Sequence, residues 1–279
     1  MHSLKKQPAP LLCFILGMLF SITASAEQQQ DIKQLRFGVA PFMSPVALIK
    51  RMDPLRQYLV DQLGVDFKME TSAVAKDFVK RTQEGRYDVI YTSPTFSLLA
   101  MEQTQVELVA TLEINNAGVF LVNKQSRIVK LQDLAGKRVG APPAFGFLGQ
   151  LAISTVKNVG YSDMPQPEMI HFNSHNAAVS ALRLGEVDAV MIVEFMEKHL
   201  RKKAPFYRVI HRTDDYPGLT VLVSRHIDQS IKDGLQQVLL DMHKNPAGQK
   251  VLSQISFPGF RLIDRAELEK VRQFIPSGK

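Results

Sequence analysis

Two serine-proline pairs, Ser44-Pro45 and Ser93-Pro94, put a small hydroxyl residue where a helix would begin and a proline at the first helical position. There the missing N–H of proline costs nothing. A helix start of this kind directs unpaired N–H groups and the positive end of the helix dipole outward, toward a small anion. The tripeptide Tyr91-Thr92-Ser93 adds two hydroxyls and an aromatic wall at the second start. From the other half of the chain come Asn173-Ser174-His175-Asn176 at a further helix start and Glu194 after the run 188–193. His175 could donate to an anion, and Glu194 would accept from a protonated oxygen, an amine or a hydroxyl. Plainer roles stand beside these: routine capping for the serines, a core-facing strand side chain for Tyr91, a local cap or lobe contact for His175, and a solvated first-turn acid for Glu194.

Other chemistry lacks its pattern. Histidines 171, 175, 199, 211, 226 and 243 do not combine with acids in a recognised metal spacing. No Gly-x-Ser-x-Gly elbow occurs, and no Gly-x-Gly-x-x-Gly follows the first strand. Neither catalytic residues, a metal nor a cofactor is therefore expected, and an enzyme is the weaker class of explanation. Cys13 is the single cysteine, so one chain can build neither a disulfide nor a cysteine cluster. The 34 Lys and Arg against 27 Asp and Glu are scattered, without a basic run interleaved with aromatics, which argues against nucleic-acid binding.

Lys5 and Lys6 precede an apolar run from Leu11 to Phe20 and then Ala24-Ser25-Ala26, the order of a cleaved export signal over residues 1–26. The run is too short for a comfortable membrane span. The mature chain would start near Glu27, carry 32 basic and 27 acidic residues, and contain no cysteine, which suits an oxidising compartment such as the periplasm.

The elements that must hold the candidate residues alternate in type. Strands are expected at 35–40, 66–70 and 88–91, with helices at 46–63 and 74–82 and a further one opening at Ser93-Pro94. The second half repeats this: strands at 118–122, 138–140, 169–172 and 188–192, helices at 148–159 and 177–184. Gln83-Glu84-Gly85-Arg86-Tyr87-Asp88-Val89-Ile90 and Arg183-Leu184-Gly185-Glu186-Val187-Asp188-Ala189-Val190 share a helix end, a glycine stop, an aspartate and an apolar strand. After Tyr216-Pro217-Gly218 a strand at 219–223 and helices at 227–242, 246–254 and 266–274 follow. The expected fold is α/β with two lobes: residues 35–112 joined by 216–279 in one, 117–211 in the other, and hinge segments at 113–116 and 212–215. Two sequential domains without a hinge are the alternative, which buried parallel strands do not decide.

In four segments the chain resembles the periplasmic phosphate, phosphite and phosphonate-binding proteins of bacterial ABC importers. These are Leu35-Arg36-Phe37-Gly38-Val39-Ala40-Pro41 with Ser44-Pro45; Gly85-Arg86-Tyr87-Asp88-Val89-Ile90-Tyr91 with Ser93-Pro94; Leu134-Ala135-Gly136-Lys137-Arg138-Val139; and Ser174-His175 with Gly185-Glu186-Val187-Asp188-Ala189. The resemblance implies a type II periplasmic binding fold whose two lobes close on a small-molecule ligand and dock to an ABC permease in the inner membrane. It also implies a monomer. It further implies ligand contacts by Tyr91, Ser93, His175 and Glu194, with Phe42 a looser match to a pocket aromatic.

One segment departs from that pattern. After Lys137-Arg138 the family usually has a Ser/Thr-rich helix start, and here stands Ala141-Pro142-Pro143-Ala144-Phe145. Hydroxyls worth roughly 0.5 to 3 kcal/mol each are absent there. Phe145 and Phe147 could supply an apolar wall favouring a diverged organic solute, or could simply pack the lobe. Rival functions are a sensor input for a membrane kinase or chemoreceptor, an exported enzyme using His175 and Glu194, and a bilobal shell without a pocket.

Overall fold

The computed structural model describes residues 34–202 and 206–276. The expected export signal, residues 1–26, lies outside them. No helix among the described residues is long and apolar enough to cross a membrane.

Three strand-helix units open the fold: β1 (Leu35–Val39) and α1 (Pro45–Leu63), β2 (Phe67–Glu70) and α2 (Ala75–Gln83), β3 (Val89–Thr92) and α3 (Pro94–Gln103). The helix α1 starts after Ser44, with proline in its first turn, and stops at Gly64 in the left-handed conformation, as the sequence leads one to expect. The strand β4 (Val106–Leu112) then runs to a crossing, beyond which lie β5 (Gly118–Asn123), β6 (Arg138–Ala141), α4 (Phe147–Lys157), β7 (Glu168–His171), α5 (His175–Leu184), β8 (Ala189–Val193), α6 (Glu194–Arg201) and β9 (Tyr207–Arg212). A second crossing leads back to β10 (Thr220–Ser224), α7 (Gln229–Asp241), α8 (Pro246–Ile255), β11 (Phe260–Arg261) and α9 (Arg265–Glu269).

These strands form two sheets of one design. The first has the order β11-β4-β10-β3-β1-β2 and the second β7-β6-β8-β5-β9. In each, three strands are parallel (β2, β1 and β3; β7, β6 and β8), and the next, β10 or β5, runs antiparallel to them. Both are covered on two faces. On the first sheet Phe37, Val39 and Val221 pack with Leu48, Met52, Leu235 and Ile255, while Ile90 and Leu222 on the other face meet Phe78 and Tyr87. On the second, Phe120, Val139 and Met191 face α4, and Leu121, Val190 and Ile192 face α5. Burial on both faces is why these strands read as continuous apolar runs.

The repeated glycine-aspartate segment is a structural clamp present once in each sheet. Asp88 donates its backbone N–H to the Arg36 carbonyl at 2.9 Å and accepts the Arg36 N–H on its carboxylate at 2.7 Å. Asp188 does the same with Arg138, at 2.8 Å for both bonds. Each aspartate thus ties the start of a central strand to its parallel neighbour, at the edge away from the helix starts. Asp88 also meets His226 Nε2 at 3.1 Å, and the Nδ1 of His226 lies 2.6 Å from Ser224 Oγ. The residue types are those of a Ser-His-Asp triad, but the ring nitrogens are interchanged, Ser224 is buried and Asp88 is committed to Arg36, so the cluster acts as a brace.

The two crossings run side by side. Asn116 donates its backbone N–H to Tyr216 O and its side-chain amide to Pro217 O, while Gly118 and Thr213 exchange hydrogen bonds at 2.9 Å. A side chain at Gly218 would come within 2.5 Å of the Leu112 carbonyl, so only glycine lets the segments approach this closely.

The carboxyl-terminal segment differs from the single helix expected over 266–274. α9 ends at Glu269, and a 3₁₀ turn follows at Arg272–Phe274. The buried residues Leu268, Val271 and Phe274 recur every third position, a spacing that a tightened helix turns to one side. They share a core cluster with Leu98 of α3 and with Phe120 and Val139 of the second sheet. This segment therefore touches elements built on both sheets.

Candidate functional site

The parallel strands β1, β2, β3, β6, β7 and β8 all end at edges where a helix then begins: α1, α2, α3, α4, α5 and α6 respectively. Both crossings connect these same edges, since β4 leaves the first sheet and β5 enters the second there, with Gly118 opposite Val193. The topology thus adjoins the two rows of helix amino termini, an arrangement that favours an anion.

On the first sheet, Val39 pairs with Tyr91, so the segments bearing Phe42, Ser44, Tyr91 and Ser93 are neighbours. Ser44 is exposed at the start of α1 and its hydroxyl makes no cap bond. Ser93 Oγ accepts weakly from Phe96 N–H at 3.4 Å and lies 3.2 Å from Thr95 Oγ1, so its proton can turn to a ligand when Thr95 is the donor of that bond. Strand alternation separates the next pair. Tyr91 is fully buried, with its ring between Phe42 (6.3 Å) and Phe257 (5.8 Å), whereas Thr92 lines a small cavity with Phe78, Thr82 and Phe96. The aromatic surface open to solvent here is that of Phe42, 39% exposed.

Among the described residues the Tyr91 hydroxyl has no hydrogen-bond partner, and neither does Arg51 Nε. Burial pushes the Tyr91 phenol well above its usual range, with Arg51 acting in the opposite direction. Because an unpaired buried hydroxyl is costly, Tyr91→Phe is expected to leave stability unchanged or raise it by up to about 1 kcal/mol. A urea titration checks this, and a clear loss would show that the hydroxyl has a partner.

On the second sheet, Ser174 caps α5 by accepting Ala177 N–H at 3.1 Å. His175 follows, with Nδ1 buried and without a partner among the described residues; burial lowers its pKa to about 4. At neutral pH the ring is uncharged and can donate one N–H. In the unfolded chain the imidazole takes its proton near pH 6.5. The fold must then lose stability as pH falls from about 6.5 to about 4, because the unfolded state binds the proton first. The slope should shrink in His175→Gln, as followed by melting temperature across that range, and an unchanged slope would contradict it.

The loop after β6 shows what replaces the hydroxyl-rich start. His171 Nδ1 lies 2.6 Å from the Pro142 carbonyl, Gly146 N–H donates to Pro143 O, and Gln150 Nε2 to Ala144 O. The N-cap of α4 is Gly146, and a side chain at Gly149 would lie 2.1 Å from the Pro143 carbonyl, so the loop is pressed against the helix. The two phenylalanines part company. Phe145 is 52% exposed, whereas Phe147 is buried in an aromatic cluster with Tyr216 and Phe274, each at 5.5 Å. An apolar wall at this edge can include Phe145 alone.

Glu194 opens α6, its N–H bonded to Ala117 O of the crossing at 2.8 Å. Its carboxylate is already occupied: Oε1 accepts Arg212 Nε at 2.7 Å, and Oε2 accepts Arg212 Nη2 and Lys198 Nζ, each at 3.1 Å. Arg212, then Lys198, holds the carboxyl down at about 2. Arg212 was not among the residues singled out from the sequence. It lies 18 positions from Glu194, and only β5, lying between β8 and β9, brings the pair together.

The fold and its paired rows of helix starts define a two-lobed α/β binding protein. Residues 37–268 match the family described as "ABC transporter, phosphonate, periplasmic substrate-binding protein", and the chain belongs to it. It is 24% identical over 278 residues to the phosphonates-binding periplasmic protein of Escherichia coli (strain K12), covering 93% of this chain and 80% of that protein. Among solved structures it is similar to PhnD1 from Prochlorococcus marinus in complex with methylphosphonate, with a TM-score of 0.75, 17% identity and coverage of 88% and 97% of the two chains. A binding-protein component of an ABC phosphonate transporter from Pseudomonas aeruginosa gives 0.71, 19%, 88% and 86%. The family is one of periplasmic substrate-binding proteins, not enzymes.

Proposed function

We propose that the chain is exported to the periplasm, where it binds a small phosphonate- or phosphate-type oxyanion between its two lobes and delivers it as a monomer to an inner-membrane ABC permease. The observation that carries this reading is the pair of adjoining sheet edges, where six strands each give way to a helix amino terminus. The lobes are residues 35–112 with 216–279, and 117–211. The two hydrogen-bonded crossings serve as the hinge, and preferential binding to the closed form drives closure.

Ser44, Ser93 and Ser174 donate hydroxyl protons to the oxyanion, together with first-turn N–H groups and the neutral ring of His175. Phe42 and Phe145 supply apolar rims. Backbone donors at the start of α4 take over from the missing hydroxyls. Thr92 contributes through its strand position rather than its side chain, which faces the other side of the sheet, and Tyr91 supports Phe42 from beneath.

Ser44 offers the cleanest test, since its hydroxyl makes no cap bond whose loss would alter the fold. Ser44→Ala is expected to change stability by less than about 0.5 kcal/mol. It should weaken methylphosphonate binding roughly tenfold, the value of one hydrogen bond to a charged group. Calorimetric titration of both proteins reads this directly, and equal affinities would remove Ser44 from the site.

A further inference from the structure

Arg212 carries an inference about ligand class, one that rests on the oxyanion reading above. The guanidinium is held at several points. Its Nε and Nη2 grip the two oxygens of Glu194, Nη1 donates to Thr213 O at 3.1 Å, and Nη2 also pairs with Asp215. The fork matches a carboxylate in two parallel bonds, a geometry that a lysine cannot reproduce. Glu194 is only 13% exposed, and Lys198 covers it from the next helical turn.

The position matters because Glu194 follows β8 directly, at the edge that also carries the 141–146 loop after β6 and the Ser174-His175 start after β7. A carboxylate there would be the natural acceptor for an ammonium group on a ligand whose oxyanion sits at the helix starts. Here both oxygens are spoken for. An incoming ammonium would have to displace the guanidinium fork from a carboxylate that is 13% exposed, trading two parallel bonds and the Lys198 contact for its own.

We propose that Arg212 is a specificity-determining residue: by committing Glu194 to the protein, it sets the crevice to take phosphonates or related oxyanions without an ammonium group, and to discriminate against aminoalkylphosphonates.

The test compares methylphosphonate with 2-aminoethylphosphonate by calorimetry on the mature protein and on Arg212→Gln. The native protein should favour methylphosphonate by roughly tenfold or more, and Arg212→Gln should erase or invert that preference by releasing Glu194. Should Arg212→Gln melt too low to titrate, Arg212→Lys, which keeps the charge but loses the fork, is expected to reduce the preference. Native preference for the amino ligand would overturn this proposal while leaving the oxyanion reading intact. A substitution that weakens both ligands equally would do the same. If neither phosphonate binds, both readings are overturned.

Discussion

Asp88→Ala should destabilise the protein by about 3 kcal/mol, and Asp188→Ala by no more than about 1 kcal/mol, although the two aspartates make the same backbone bonds. The difference lies in burial. The Asp88 side chain is 8% exposed and gathers the Arg36 N–H, the Arg36 guanidinium at 3.6 Å and His226. Removing it strands the Arg36 N–H beside a buried site and takes a shared acceptor from the Arg36 and His226 side chains, which are 42% and 61% exposed and turn to water. Asp188 is 36% exposed, with Arg138 Nε at 3.7 Å, so water can take over its bonds. Urea unfolding of both variants measures the contrast, and equal losses would show that the clamp is not governed by solvent access.

Phe147→Ala is the second large effect, expected to cost about 3 to 5 kcal/mol, as is usual for a buried phenylalanine. Phe145→Ala, two positions earlier, should stay within about 0.5 kcal/mol because its ring is largely in solvent. The ring of Phe147 meets Tyr216 of the second crossing and Phe274 of the terminal turn, which themselves pack at 5.1 Å. Its loss should therefore loosen three segments together. Hydrogen exchange in Phe147→Ala should quicken over residues 263–276 before it does in α1, and a change confined to α4 would contradict the role assigned to the cluster.

Much of the architecture was legible because buried strands and glycine-stopped helices leave strong local signals. The two Gly-x-x-Asp segments announced matching strands and proved to be matching clamps. β9 was harder to see, since it is an edge strand whose Arg208, His211 and Arg212 break the apolar alternation, as edges commonly do. β4 follows α3 without a glycine or proline between them, so helix and strand merge in the sequence. At the site, helix-start serines were visible from their capping chemistry. The commitment of Glu194 to Arg212 was not, because it depends on strand order rather than spacing, and neither was the opposite facing of Tyr91 and Thr92. The pair Phe145 and Phe147 shows the same limit: identical residues two apart, one in the core and one in solvent.

The central claim is that these paired helix starts receive a phosphorus oxyanion. Native mass spectrometry of the mildly purified mature protein, followed by denaturation and identification of what is released, tests it most directly. One phosphonate or phosphate-type anion per chain is the predicted result; a stoichiometric organic solute without phosphorus would contradict it.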